Sequence, residues 1–194
     1  MKLYHDPSSR SVRVQITLEE LGTPYELAPV NLARGECRGA AHRQRHPLGQ
    51  LPVLECSGQY MIESVGICIF LADRYREAAL CPPVEHPERS PYLQWCTFVS
   101  GSLEPAILGD FLAKRGTQLP GAPGLDDVLT ALAEQVDRHD HLLKFGFSTA
   151  DILVGTTIAH LAQMGMQLPE ALRVYLQRLA ARPSFGCLPG EAEH

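Results

Sequence analysis

The sequence lacks the features that mark membrane proteins and nucleic-acid-binding proteins. Its longest apolar stretch runs only from Val65 to Ala72, whereas a helix that crosses a bilayer needs roughly 20 apolar residues. Lysine and arginine are scattered and the formal net charge is −5, so no basic patch is available for DNA or RNA. Asp6 and Arg10 interrupt the apolar residues that an export signal would need. We therefore expect a cytoplasmic protein with no membrane and no nucleic-acid partner.

The sequence also lacks the spacings typical of metal sites and redox-active cysteine pairs. No Cys-x-x-Cys pair occurs, and His139 and His141 lie two residues apart on a predicted helix, so they point to different faces. Several cysteines fall within apolar patterns, as buried thiols in a reducing compartment do. The six cysteines are Cys37, Cys56, Cys68, Cys81, Cys96 and Cys187. We expect buried thiols and no metal.

What the sequence does contain is the composition of a globular protein, with 45% hydrophobic and 20% charged residues. In the first half, Leu3 and Tyr4 begin a strand, and a polar turn is followed by helical periodicity from Val12 to Gly22. Residues 25–31 alternate like a strand, which Pro29 confines to a sheet edge. The polar stretch that follows has room for a short helix.

Two further strands are predicted over 52–55 and 60–62, around a tight turn at Ser57 and Gly58. Helical periodicity returns at Ser64. The first half therefore predicts the order β-α-β-(α)-β-β-α, in which helices pack on a mixed sheet.

A proline-rich segment over 79–90 separates this α/β half from a second half without strand-like alternation. The helices predicted in the second half span about 92–114, 125–143, 149–162 and 169–181. We expect an α/β domain over 1–78, a linker over 79–90 and an all-helical domain over 91–194. Ser148 and Asp151 have the spacing of a capping box, which predicts a structural role at the start of the third helix.

Several segments of the sequence resemble segments of one protein family. Residues 2–14, KLYHDPSSRSVRV, resemble the first strand, catalytic turn and first helix of glutathione transferases. Residues 46–54, HPLGQLPVL, resemble the loop into their third strand, where a proline is cis, and residues 62–64, IES, match the turn that holds the γ-glutamyl end of glutathione. Residues 147–152, FSTADI, match the family's helix-starting box, and residues 100–105, SGSLEP, are similar to a segment of bacterial members. The chain is identified on this resemblance as a cytosolic glutathione S-transferase.

The resemblance implies a thioredoxin-like domain followed by a helical bundle, glutathione as the co-substrate, and a homodimer. It implies an enzyme of detoxification that activates the glutathione thiol for conjugation to a small electrophile or for peroxide reduction. Residues near Ser102 and Ala106 are expected in the second substrate's pocket. Two alternatives stay open, namely a non-catalytic interaction protein of the same fold and a thiol–disulfide oxidoreductase. The family's beta class has a catalytic cysteine where Arg10 stands, which weakens the second alternative.

The resemblance assigns glutathione binding to Gln50, Leu51, Pro52, Glu63 and Ser64. A cis bond before Pro52 would turn the backbone of Leu51 toward a peptide ligand, and the Gln50 amide would bind a glycyl or backbone group. Ser64 begins a helix, where unpaired N–H groups favour a carboxylate, and Glu63 would pair with the ligand's ammonium group. The alternatives are a trans proline that opens an edge strand and an ordinary helix cap.

Thiol activation is assigned to the turn before the first helix. A thiol with a pKa of about 8.5 is only a few per cent ionised at neutral pH. A hydroxyl that donates to sulfur, at the positive end of a helix, would stabilise the thiolate. Ser9 is the first candidate and Ser11 the second, with Arg10 as a further cationic contributor. The alternative is that both serines only cap the helix.

Overall fold

The computed structural model describes residues 1–188, which form two compact units. The first unit contains Met1–Cys81 together with the segment that starts at Arg182, and the second contains Pro82–Ala181. The division between Cys81 and Pro82 falls inside the linker that the sequence predicts over 79–90.

The segment that starts at Arg182 does not group with the helical residues, although the sequence placed it in the helical domain. The guanidinium of Arg182 donates two hydrogen bonds to the Glu20 carboxylate, at 2.8 and 2.7 Å, and the Ser184 hydroxyl donates a third. A 3-10 helix over Pro183–Cys187 then packs against the first helix of the chain. The final residues of the predicted domain, 189–194, lie outside the described residues.

The first unit is built on a four-stranded mixed sheet with the strand order β2-β1-β3-β4. Strand β1 is parallel to β2 and antiparallel to β3, which is antiparallel to β4. The strands are β1 (Lys2–His5), β2 (Glu26–Pro29), β3 (Val53–Cys56) and β4 (Gln59–Ile62). Pro29 ends the edge strand β2, as predicted, because an edge strand tolerates a residue that lacks an N–H.

Helices α1 and α3 pack against each other through apolar stripes that the sequence predicts. Gly22 ends α1 in the left-handed conformation, with φ of 60°, which a residue without Cβ adopts at little cost. The helices of this unit are α1 (Ser11–Leu21), α2 (Ala40–Arg43) and α3 (Ser64–Arg74), with 3-10 turns at Glu36–Arg38 and Arg76–Ala78. The predicted order of elements in the first half is confirmed.

Every regular element of the second unit, within the residues that the structure describes, is a helix, and α7 is its buried centre. Helix α7 packs against both α4 and α8, and α6 packs against α5 and α8. The helices are α4 (Arg89–Phe98), α5 (Glu104–Ala113), α6 (Leu125–Arg138), α7 (Thr149–Gln163) and α8 (Glu170–Ala180). Over residues 1–188, none of the helices has the length and apolar character that a membrane span requires.

The helix predicted over 92–114 is interrupted by a π-helical turn at Val99–Leu103. Pro105 has no N–H to donate to the carbonyl four residues earlier. The N–H of Glu104 instead reaches the carbonyl of Val99, five residues back, as in a π-helix. The proline therefore explains the interruption of the helix. The apolar periodicity of the sequence did not predict this interruption.

Helix α6 ends at Arg138, five residues before the predicted end at Leu143, because the following segment is bound by the start of α7. The Asp151 carboxylate accepts the N–H of Leu142 at 2.9 Å and that of Ser148 at 2.9 Å. Ser148 and Asp151 form both halves of the predicted capping box, which is confirmed. His139 and His141 therefore lie in a bent segment after α6, not in a helix as predicted.

Candidate active site

Three segments that the sequence singled out meet at one end of the sheet. Tyr4 of β1 pairs with Val53 of β3, which pairs on its other side with Ile62 of β4. Because both pairings are antiparallel, the end of β1, the start of β3 and the end of β4 coincide. The chain therefore places the turn before α1, the loop before β3 and the start of α3 along the same edge.

The turn before α1 brings both predicted catalytic serines together. The Oγ atoms of Ser9 and Ser11 lie 2.6 Å apart, and Ser9 Oγ accepts the backbone N–H of Ser11 at 3.1 Å. Ser9 is partly exposed, whereas Ser11 is completely buried. Of these two hydroxyls, only that of Ser9 is accessible to a ligand.

Behind the two serines lies a histidine that the sequence analysis did not assign to the site. Nδ1 of His5 is 2.8 Å from Ser11 Oγ, and the His5 side chain is buried. Burial lowers the pKa of His5, while the negative charge of Asp6 acts in the opposite direction. The imidazole is therefore neutral at physiological pH, with one nitrogen that donates and one that accepts.

Asp6 shapes the turn, although it is itself satisfied by neighbouring donors. Its carboxylate accepts the N–H and the hydroxyl of Ser8, at 2.9 and 2.5 Å, and the N–H of Leu32 at 2.9 Å. Burial would raise the pKa of Asp6, but these hydrogen bonds outweigh it and lower the pKa. The carboxylate is thus ionised, and the Ser8 proton is directed to it.

The loop before β3 contains a cis peptide bond between Leu51 and Pro52, which confirms the expected isomer. Leu51 and Pro52 are buried and Gln50 is exposed. His42 donates from Nε2 to the Gln50 carbonyl oxygen at 2.9 Å, since a carbonyl can only accept. His42 thereby stabilises the loop through a contact that was not predicted from the sequence.

The start of α3 holds the other predicted binding residues. Glu63 is exposed and has φ of 70° and ψ of 105°, a rarely populated backbone conformation that is often found at ligand-binding sites. Ser64 is the first residue of the helix and is 6% exposed. The unpaired N–H groups of the first turn and the helix dipole favour an anion at this position.

A buried arginine joins α1 to the start of α3. Arg13 is 5% exposed, and its Nη1 donates to Ser64 Oγ at 3.2 Å. Arg13 was not among the predicted site residues, although it shares a helical face with the apolar Ile16 and with Thr17, at i+3 and i+4. A cation on a buried helical face was the signal that could have identified it.

The described residues hold neither a metal cluster nor a disulfide. No group of three or more His, Cys, Asp and Glu side chains within 1–188 is arranged to hold a metal ion, and none of the six cysteines, which all lie in that range, forms a disulfide. In the second unit, Ala106 is fully buried, and Ser102, which lies in the π-helical turn, is partly exposed. Ser102 is thus the one of these two that a substrate could reach.

Comparisons with known proteins agree on one family. Residues 1–73 match the family described as "Glutathione S-transferase, N-terminal domain". The chain is 25% identical to glutathione S-transferase GstA of Escherichia coli O157:H7 over 189 residues, and this alignment covers 94% of each chain.

Two solved structures are similar over nearly their whole length. One is a ternary complex of BphK, a bacterial GST, with a TM-score of 0.82 and 26% identity over 97% of this chain and 98% of that chain. The other is a sphingomonad glutathione S-transferase complexed with glutathione, with a TM-score of 0.81 and 25% identity over 100% of both chains. The predicted combination of a thioredoxin-like unit and an all-helical unit is confirmed.

Proposed function

We propose that this chain, which belongs to the glutathione S-transferase family, activates the thiol of glutathione and transfers the glutathionyl group to a small electrophile. The observation that carries the proposal is the convergence, at one end of the sheet, of a hydroxyl-bearing turn, a cis-proline loop and an anion-binding helix start. In this proposal the turn donates to the glutathione sulfur, the loop pairs with the peptide backbone, and the helix start binds the γ-glutamyl carboxylate.

Glutathione binding is assigned first to the start of α3. The Ser64 hydroxyl accepts from Arg13, which leaves its own proton available for the γ-glutamyl carboxylate. The helix dipole adds a favourable field for the same group. The exposed Glu63 carboxylate would pair with the α-ammonium group of the ligand.

The loop before β3 supplies the remaining contacts in this proposal. The backbone of Leu51 would pair with the cysteinyl residue of glutathione as an added strand does. Gln50 has an exposed side chain while its carbonyl is held by His42, so its amide is free to turn toward the glycyl end. Pro52 completes the turn into β3.

The thiol would then lie beside Ser9, whose hydroxyl donates to the sulfur. A donor and the positive end of α1 both favour the thiolate over the thiol. Ser11, which is buried, supports Ser9 from behind without touching the ligand. Arg10 is exposed in the same turn and is the second candidate for stabilising the anion.

The finer assignments rest on separate features. Cysteines that form no disulfide fit a reducing cytoplasm, and the partly exposed Ser102 supports a second-substrate pocket near the π-helical turn. Leu48 and Tyr60 are large hydrophobic side chains that are 66% and 47% exposed, and we propose that a second copy covers them in a homodimer. Sedimentation that gives a monomer at micromolar concentration would remove the last assignment.

The test is the pKa of enzyme-bound glutathione, followed by thiolate absorbance against pH. We expect the wild type to lower this pKa and Ser9→Ala to raise it by about one unit, since one hydrogen bond contributes about 1–1.5 kcal/mol. Affinity should change little, and conjugation of a chromogenic aryl halide should slow about tenfold at a pH below both pKa values.

Ser8→Ala is the matched control, because the Ser8 hydroxyl donates to Asp6. A shift with Ser8→Ala and none with Ser9→Ala would move the role to Ser8. A wild type that binds glutathione without lowering the thiol pKa would favour the non-catalytic alternative. Peroxide reduction, measured with the same variants, would show which reaction the thiolate serves.

A further inference from the structure

We infer that His5 is a positioning residue that acts through Ser11 to direct the Ser9 proton toward the glutathione sulfur. The inference rests on the proposed role of Ser9. It adds a group that lies outside the predicted site and that the ligand does not touch. Its basis is a continuous chain of three polar side chains running from the exposed turn into the interior.

The hydrogen bonds that connect these three side chains are short. Ser9 Oγ lies 2.6 Å from Ser11 Oγ, and Ser11 Oγ lies 2.8 Å from His5 Nδ1. Ser9, at the outer end, is partly exposed, whereas Ser11 and His5 are buried, at 0% and 6% exposure. Solvent can therefore reach only the outer end, so the orientation of the hydroxyl protons is set from the inside.

Counting protons shows what His5 controls. Each hydroxyl has a single proton, and Ser11 Oγ also accepts the N–H of Asp6 at 3.2 Å. When Nδ1 of His5 has no proton, it accepts a hydrogen bond from the Ser11 hydroxyl. Ser11 Oγ in turn accepts a hydrogen bond from the Ser9 hydroxyl, whose proton then points into the protein. When Nδ1 carries the proton, His5 donates to Ser11, and Ser11 can donate to Ser9.

When Nδ1 of His5 carries the proton, Ser9 Oγ accepts two hydrogen bonds from Ser11, one from its hydroxyl and one from its backbone N–H at 3.1 Å. Its own proton is then free for the sulfur. The Asp6 carbonyl oxygen, 2.8 Å from Ser9 Oγ and 3.0 Å from Ser11 Oγ, is the competing acceptor. Each donor in the series strengthens the next.

The charge state of His5 is compatible with this role. Burial keeps the imidazole neutral against the opposing influence of Asp6, so His5 carries one ring proton. The thiol releases its proton to solvent, and the chain only donates hydrogen bonds to the resulting thiolate. We therefore assign the Nδ1–H tautomer to His5 in the complex with glutathione.

The experiment compares His5→Phe with His5→Asn in the full chain, using bound glutathione as the probe. Phenylalanine retains a ring of similar size without a nitrogen, whereas asparagine places an amide N–H near the position of Nδ1. We expect His5→Phe to raise the pKa of the bound thiol by about one unit, as Ser9→Ala does. His5→Asn should recover most of the wild-type value, and His5→Phe should have no further effect in a Ser11→Ala background.

The outcomes separate this inference from the proposed function. If the wild type does not lower the thiol pKa, the proposed function fails. If Ser9→Ala raises the thiol pKa but His5→Phe does not, the function stands and the role of His5 is wrong. Equal rises with Phe and Asn would also overturn it, because packing of the ring would then be the cause.

A measurement on the wild-type protein covers the case in which His5→Phe does not fold. Nitrogen-15 shifts of the His5 ring distinguish the two tautomers directly. We expect a protonated Nδ1 and an unprotonated Nε2 when glutathione is bound. A protonated Nε2 with a bare Nδ1 would overturn the inference.

Discussion

Replacing Arg13 with methionine is expected to weaken glutathione binding, although Arg13 is buried and was not among the predicted binding residues. The guanidinium donates to Ser64 Oγ at 3.2 Å. Without this donor, the Ser64 hydroxyl would turn toward another acceptor part of the time and would offer its proton to the ligand carboxylate less often. Methionine fills a similar volume without charge, which limits the disturbance of the packing.

The size of the effect follows from the geometry of this bond. Hydrogen bonds that involve a charged group contribute about 1.5–3 kcal/mol, but 3.2 Å is at the long end of the range for an N–H donor. The effect on the ligand is also indirect. We therefore expect a loss of about 1 kcal/mol, or a roughly fivefold higher Kd, against about 1–3 kcal/mol for Ser64→Ala, which removes the hydroxyl itself.

A double-mutant cycle measured by titration calorimetry tests whether Arg13 acts through Ser64. The Arg13→Met and Ser64→Ala double variant should bind no more weakly than Ser64→Ala alone, a coupling of about 1 kcal/mol. Thr17→Val is the matched control, because Thr17 lies on the same face of α1 and its hydroxyl contacts Cys68. That variant should lose thermal stability and keep its affinity. Additive losses, or an unchanged Kd in Arg13→Met, would refute the reasoning.

Two further predictions concern stability. Burial would raise the pKa of Glu20, but hydrogen bonds from Arg182 and Ser184 lower it below the ordinary 4.5; stability gained from this group is present above the unfolded-state pKa and is lost as pH falls through the folded-state pKa. Glu20→Gln should therefore flatten the acid end of a Tm against pH profile, and an unchanged slope would contradict the assignment. Gly49→Ala should destabilise the fold by about 1 kcal/mol or more, since the new Cβ would lie 2.7 Å from the Cys37 carbonyl oxygen at φ of 60°; chemical denaturation with no change in midpoint would contradict it.

Local signals in the sequence predicted most of the first unit. The apolar spacing in α1 and α3, the turn at Ser57 and Gly58 and the edge position of Pro29 each depend on a few neighbouring residues. The capping box of Ser148 and Asp151 is equally local and was confirmed. These features were predictable because the hydrogen bonds and steric limits that produce them act within about one turn of chain.

The candidate site was predicted only where a motif marked it. Ser9, Gln50, Leu51 and Glu63 lie in segments that resemble those of the family, and the strand register brings these segments to one edge. Ser11, the second catalytic candidate, is completely buried, which was not evident from the neighbouring residues in the sequence. His5 carried no motif of its own, and its relation to Ser11 depends on how the turn folds back on β1.

The sequence by itself therefore determined the order of the elements, their caps and the segments that form the candidate site. Tertiary structure alone decided which buried groups support that site and where the segment from Arg182 to Leu188 packs. Arg13 and Ser64 are 51 positions apart, and Glu20 and Arg182 are separated by 162. No local periodicity relates such pairs, because their contact depends on the packing of whole helices and on which faces of those helices become buried.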